Sequence, residues 1–399
     1  MAYDPARTAR YLARVARETG VPGFRLAETP VFFDRTFVAR ARAAAEAIIG
    51  QLDESGTRVR LEGALPPDHP QIADRPALPN VAVLDFAVTR RKDGSLAPKL
   101  VELQGFPSLV LFECIQGDAW IEALGEIRGC EGPWTYADGG RAGLLELARA
   151  TIVGDADPSE CVLLDVEPER QKTLCDFRAT ERLLGVAAVD PRALERRGAR
   201  LFRRDAAGRR VPVRRIYHRL IATDLPRAGR PWPEVLRGSL DVAWIAHPDY
   251  YYLWSKYALP LLDHESVPRT RLLSEVEPGE LDLAGQVLKP LFLFAGGGVV
   301  LEPSLDDLAA VPPEEREAWC LQERIAYTGA VASPAGDVKL EVRLMYLRPE
   351  GEPELRYATN LCRLSRGAMI GVDYNRDLPW TGSSIGLLRA GDSTVADGS

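Results

Sequence analysis

The sequence predicts a mixed α/β fold, α+β in its larger part, with a small parallel α/β domain inside it. Three observations carry this. Strand, helix and strand patterns alternate over 160–222, the order that builds a parallel sheet. Two apolar runs, Val81–Phe86 and Lys99–Gln104, flank Arg91-Lys92-Asp93-Gly94, and Asp-Gly between such runs signals a hairpin. An apolar strand, Val287-Leu288-Lys289-Pro290, runs into Gly296-Gly297-Gly298 and re-enters a strand at Val299. The length of 399 residues calls for two or three domains, because single cores stop growing near ~250–300 residues.

Taken in order, residues 5–20 and 33–54 have helical spacing and are rich in Ala and Arg, so 1–79 reads as an N-terminal helical region. Pro66-Pro67-Asp68-His69-Pro70 breaks that pattern. Residues 80–153 hold the hairpin and then helices, the last over 140–153. Residues 154–235 form the small α/β domain. Its strand runs from Cys161 to Asp165, its helix from about Arg170 to Leu184, and a second strand from Arg215 to Ile221. A Pro-rich linker at 225–233 leads into 236–389, where helix and strand alternate. The tail, 390–399, is small and polar, a mobile end.

Composition narrows the function. Apolar residues make up 46% and charged residues 27%, as expected of a chain that folds in water. The net charge of −7 argues against nucleic acid or an anionic membrane as partner. Six cysteines, at 114, 130, 161, 175, 320 and 362, show no C-x-x-C pair. They read as inert thiols of a reducing cytosol, which makes the protein cytoplasmic. The first ten residues are polar, and no run approaches the ~20 apolar residues of a membrane span.

Chemistry-bearing residues cluster in six places. Glu102 and Gln104 are two apart on one strand and share a face, and Asp85 meets them across the hairpin. Two carboxylates and an amide oxygen suit Mg²⁺ that also holds phosphates; a solvated sheet face carries the same residue types. Lys289 supplies a point charge beside glycines that leave backbone amides open to a phosphate. The glycine loop lies between strands and lacks both P-loop and dinucleotide spacing, so it reads as a lid over a nucleotide or as a plain hairpin turn. Leu321-Gln322-Glu323-Arg324-Ile325 reads as a hinge for a base edge or as an ordinary amphipathic strand. Glu341 and Arg343 share a face, where Arg343 can clamp phosphate oxygens or form a surface ion pair. Thr359 to Arg366 carries Asn360, Arg363 and Arg366, more donors than a solvent loop requires. In the α/β domain, Glu167, Arg170, Gln171 and Asp176 lie near the end of the first strand, where open sheets bind ligands, and Arg219 can take a carboxylate. The four histidines form no cluster and give histidine catalysis no support.

In this order the pieces resemble the ATP-grasp superfamily. The resemblance runs through Ser255-Lys256-Tyr257, Val267-Pro268-Arg269-Thr270, Val287-Leu288-Lys289-Pro290, Gly296-Gly297-Gly298-Val299, Leu321 to Ile325, and Glu341-Val342-Arg343. Glu341 stands where Asp is commoner. The family's acid strand pair normally follows the arginine strand. Here its best match is upstream, Asp85 and then Glu102-Leu103-Gln104, with Gln104 in place of Asn. This resembles the circularly permuted branch that includes glutathionylspermidine synthase-like proteins. Asp373-Tyr374-Asn375 is the competing, unpermuted match. The resemblance covers 80–115 and 160–376.

The resemblance implies an ATP-grasp fold with a preATP-grasp-like α/β domain. It implies that ATP is bound by Lys256 and Lys289, by the loop Gly296, Gly297 and Gly298, and by the hinge Gln322, Glu323 and Ile325. Mg²⁺ falls to Asp85, Glu102 and Gln104. Arg343, Arg363, Arg366 and Asn360 serve catalysis, and Arg219, Gln171 and Asp176 the substrate. The expected reaction joins a small carboxylic acid to an amine through an acyl phosphate, on an amino acid or peptide-like substrate. The alternatives are a phosphotransferase of the same fold and an inactive nucleotide-binding regulatory module.

Overall fold

The computed structural model describes residues 4–125, 133–223, 225, 231–277, 282–293, 296–367, 370–371, 375 and 377–389. Most of the expected linker (226–230), the expected mobile tail (390–399) and Asp373 lie outside the described residues.

The N-terminal region folds into α1 (Pro5–Thr19), a short strand β1 (Val31–Phe32), α2 (Arg35–Asp53) and α3 (Ser55–Leu61). Both long helices start on an aspartate cap: Asp4 accepts from the Ala6 N–H at 2.9 Å and Asp34 from the Phe37 N–H at 2.9 Å, satisfying amides that have no helical partner. The expected hairpin follows as β2 (Val81–Arg90) and β3 (Leu96–Gln104). Its turn needs a left-handed residue, and Gly94 supplies it at φ 86°.

A helix whose bounds the sequence reading left unassigned comes next, α4 (Val110–Gly125). All eight residues of Val110 to Gly117 are buried, so it shows no amphipathic stripe. Then come β4 (Trp134–Thr135) and α5 (Gly140–Ile152). The parallel α/β unit contains β5 (Cys161–Leu164), α6 (Leu174–Leu184) and β6 (Ala187–Val189). A small antiparallel sheet, unread in the sequence, interrupts it: β7 (Glu195–Arg197), β8 (Arg200–Arg204) and β9 (Arg210–Val213). β10 (Arg215–His218) and β11 (Ala243–Ile245) complete a parallel sheet of order β11-β10-β5-β6.

The remaining strands build the site. β12 (Thr270–Leu272), β13 (Gln286–Pro290), β14 (Val300–Leu301) and β15 (Trp319–Glu323) form one antiparallel sheet, ordered β12-β15-β13-β14. β16 (Gly329–Ser333), β17 (Gly336–Leu347), β18 (Arg356–Ser365) and β19 (Gly382–Ser384) join the upstream hairpin in a second, ordered β19-β18-β17-β2-β3, with β16 also on β17. β20 (Gly386–Arg389) pairs in parallel with β1 and antiparallel with β4.

Residue parity divides the second sheet between two cores. Ala82, Leu84, Phe86 and Val88 pack with Phe37, Ala41 and Ile48 of α2. Val81 and Val83 pack on the other side with Val110, Leu111 and Ile115 of α4. Asp85 shares the α4-facing parity. Because β2 is covered on both faces, it reads as a continuous apolar run with one acid inside. Among the described residues, no helix is long and apolar enough to cross a membrane.

Candidate functional site

Strand register delivers one half of the site. β13 and β15 pair so that Val287 faces Gln322 and Lys289 faces Cys320, while β12 sets Thr270 opposite Gln322. Leu288 and Leu321 turn the other way into a small apolar core. Lys289 and Gln322 are therefore diagonal neighbours on the polar face. The Lys289 Nζ donates to Gln322 Oε1 at 2.5 Å, and Gln322 Nε2 donates to Thr270 Oγ1 at 3.0 Å.

The other half comes from the hairpin and the long strands. Asp85 sits opposite Glu102 on one side and opposite Arg343 on the other. Glu341 sits opposite Arg363. Arg343 grips Asp85 bidentately, at 2.6 and 2.7 Å, and Arg363 bridges Asp85 at 2.9 Å and Glu341 at 2.7 Å. Burial alone would raise the Asp85 pKa, but the Arg343 and Arg363 guanidiniums outweigh it and hold the carboxyl well below its ordinary range. Burial raises the Glu341 pKa, with Arg363 opposing. The Tyr327 hydroxyl donates to the second Glu341 oxygen at 2.7 Å.

Lys256 joins the halves. It opens a short 3₁₀ turn whose N-cap is Ser255. Its Nζ donates to the Leu293 carbonyl at 2.6 Å and lies 3.3 Å from Glu102. Gly296 and Gly298 hold left-handed backbone at φ 75° and 71°, conformations that a side chain would strain. Together these elements enclose a cavity of about 520 Å³, lined by Lys256, Lys289, Gln322 and Glu102 among others. Gly296, Glu323, Ile325, Glu341 and Arg363 also line it. Five cations (Lys256, Lys289, Arg324, Lys339, Arg363) line it against three carboxylates (Glu102, Glu323, Glu341), and burial pushes Glu341 toward its neutral form. Such a cavity favours an anionic ligand.

Several expected site residues lie elsewhere or are differently employed. Asn360 shares its parity with Cys362 and Leu364 and leaves the face of Arg363. Its amide binds the Tyr136 and Gly386 carbonyls and the Gly386 N–H, tying β18 to β20. Arg366 donates to the Ala335 carbonyl at 2.7 Å, in the turn between β16 and β17. Asp176 and Arg219 form a fully buried pair at 2.6 Å, and Asp176 also accepts the N–H groups of Leu109, Leu111 and Phe112. Asp176 caps the start of α4, and Arg219 balances its charge. The Gln171 amide is spent on the Val166 carbonyl at 2.7 Å. Asn375 folds its own loop, accepting from Ser365 Oγ and from the Arg366 and Gly367 N–H groups.

Asp85 differs from expectation too: both its oxygens are taken by guanidiniums. The oxygen donors left on that face are those of Glu102, which lines the cavity, and the Gln104 carbonyl, whose Nε2 donates to Glu102 at 3.2 Å. Among the described residues, no group of three His, Cys, Asp or Glu side chains is arranged to hold a metal unaided. Tyr327 was missed, since one tyrosine two residues past a hinge gives no sequence signal.

No protein-family model matches the chain, and no curated protein matches it. Among solved structures, a glutathione synthetase-like effector from Globodera pallida, in apo form, matches with a TM-score of 0.58 at 12% identity, over 91% of this chain and 95% of that chain. At that identity the likeness shows a shared fold and nothing of the activity.

Proposed function

We propose that this chain is an ATP- and Mg²⁺-dependent ligase that joins a carboxylic acid to an amine through an acyl phosphate. One observation carries the reading. Lys289 of β13, Lys256 of its 3₁₀ turn, and Glu102, Glu341 and Arg363 of the β2–β17 sheet, far apart in sequence, line one anion-favouring cavity. In this reading Lys256 and Lys289 bind the triphosphate, the glycine turn covers it, and the 322–325 segment receives the base. Arg343 and Arg363, held rigid by Asp85 and Glu341, neutralise charge on the transferred phosphoryl group without reorganising. The antiparallel pairing of β2 with β17, Asp85 against Arg343, supports a circularly permuted order, with the upstream hairpin standing where the downstream acid pair is usual.

The donor set fits Mg²⁺. Glu102 and Gln104 offer hard oxygen on the cavity side, and Mg²⁺ completes its shell with phosphates and water rather than an all-protein cage. When bound, it would add a Lewis-acid charge beside the phosphates. Asp85 then acts behind it, as the anion that aims the arginines.

The test is ADP release across a panel of acids and amines, with hydroxylamine in place of the amine. The expected outcome is acid-dependent ADP formation and a trapped hydroxamate. AMP and pyrophosphate would instead mean adenylation and would sink the acyl phosphate. Lys289→Ala is expected to weaken ATP binding by about 1.5–3 kcal/mol, the scale of a charge-assisted hydrogen bond, measured by titration calorimetry. Unchanged affinity would remove Lys289 from the site. The locked state of Asp85 favours one second reading, a nucleotide-binding module without turnover. It predicts a thermal shift with ATP and no ADP with any acid.

A further inference from the structure

Lys289 is a buried ammonium with no matching anion. It is 9% exposed, and its hydrogen-bond partner is the neutral Gln322 amide. Among the described residues no carboxylate stands within ion-pair distance of it. Glu102, which also lines the cavity, pairs instead with Lys256. The orientation of Gln322 is fixed from behind. Thr270 Oγ1 donates to the Pro268 carbonyl at 2.9 Å, so its hydroxyl proton is used and its lone pair accepts from Gln322 Nε2. The Gln322 carbonyl is left to face the lysine.

The ionisable groups around Lys289 are Cys320 across the ladder, Lys256 from its turn, Glu102 from β3 and Glu341 from β17. Burial dominates and lowers the Lys289 pKa. Lys256 adds to that, while Cys320, Glu102 and Glu341 oppose it. Leaving a buried charge unpaired is costly, and a phosphate oxygen brought beside it relieves the cost. A carboxylate at position 322 would have satisfied the lysine already and would then repel the phosphate.

We propose that Gln322 is a positioning residue that keeps the counter-ion place beside Lys289 open for a nucleotide phosphate, so that nucleotide binding takes up a proton at Lys289. This rests on the nucleotide reading of the cavity. The sign follows from the geometry. In the empty site burial disfavours the Lys289 ammonium, and an adjacent phosphate favours it again.

The experiment is calorimetry of Mg²⁺-ATP binding at about pH 9, above the titration of the phosphates and below that of an ordinary lysine. It is repeated in buffers of different ionisation enthalpy, and the slope gives protons exchanged. The wild type is expected to take up protons. Gln322→Glu is expected to lose the uptake and weaken binding about tenfold or more, because its carboxylate pre-pairs the lysine. Gln322→Met, which adds no anion, is expected to keep the uptake, and Lys289→Met to abolish it. Melting curves confirm that each variant is folded. Uptake that persists in folded Gln322→Glu or in Lys289→Met, or a wild type that binds ATP with no uptake, overturns the inference while leaving the nucleotide reading standing. A wild type that binds no ATP in any buffer overturns both.

Discussion

Asp85→Asn is expected to abolish turnover and to lower folding stability by about 3–5 kcal/mol, the scale of breaking a buried ion pair from one side. Asp85 is 1% exposed and is the carboxylate that both Arg343 and Arg363 grip. The neutral amide leaves two guanidiniums in the interior with Glu341 at 2.7 Å from Arg363 and Glu102 at 3.9 Å from Arg343. Activity falls because the arginines lose their aim, and stability falls because their charge loses its partner. The pH dependence has a definite sign. The native pKa of Asp85 is depressed, so its contribution is complete above the unfolded carboxylate pKa, near 3.9, and disappears as pH falls through the lower native value. Urea melts near neutrality should therefore separate wild type from variant, and the gap should close in acid. Glu102→Gln serves as the contrast, losing turnover and Mg²⁺ response with a smaller effect on the melt. A fully active Asp85→Asn would mean that the arginine pair is not part of the reaction.

Asp176→Asn is expected to cost a similar ~3–5 kcal/mol while leaving ATP affinity unchanged in the folded fraction. Asp176 is 0% exposed. It accepts three backbone N–H groups at the start of α4, at 3.2, 3.0 and 3.0 Å, where the helix dipole favours a negative charge. Arg219 closes the set at 2.6 Å and lies 5.2 Å from the Phe177 ring centre. The amide keeps an acceptor oxygen but loses the charge that balances Arg219. Equilibrium melts and ATP titration of the same samples decide the matter. A stable variant with altered substrate affinity would return Asp176 to the substrate site.

The site was legible where local chemistry and long-range placement agree. Asp93-Gly94 announces the hairpin because only a left-handed turn closes two such strands. Lys289 stands out because lysine is rare in this chain and rarer inside an apolar strand. Lys256, Glu102 and Gln322 could be named from order along the chain. What they touch could not be named, because Gln322 meets Lys289 through strand register. Three expected site residues have their contacts in common. Asp176, Arg219 and Asn360 are polar residues that satisfy buried backbone groups or one another, and sequence gives such residues the look of a ligand site. The bounds of α4 were not legible because the whole of its first half is buried, which removes the periodicity that reveals a helix. The arginine-rich sheet of β7, β8 and β9 was missed because its strands are three to five residues long and only two of their residues, Leu201 and Val213, are buried.

The partner of β2 is β17, and this has a consequence during synthesis. About 245 residues separate the end of β2 from the start of β17. At about 5–20 residues per second, the ribosome needs roughly ten to fifty seconds to deliver the partner. Throughout that interval the nascent chain presents an apolar strand with one free edge, the kind that recruits other strands. α2 and β3 emerge early enough to cover one face and the opposite edge. The β17 side of β2 and the Asp85 carboxylate wait for the far end of the message, so chaperone demand should peak before residue 336 emerges.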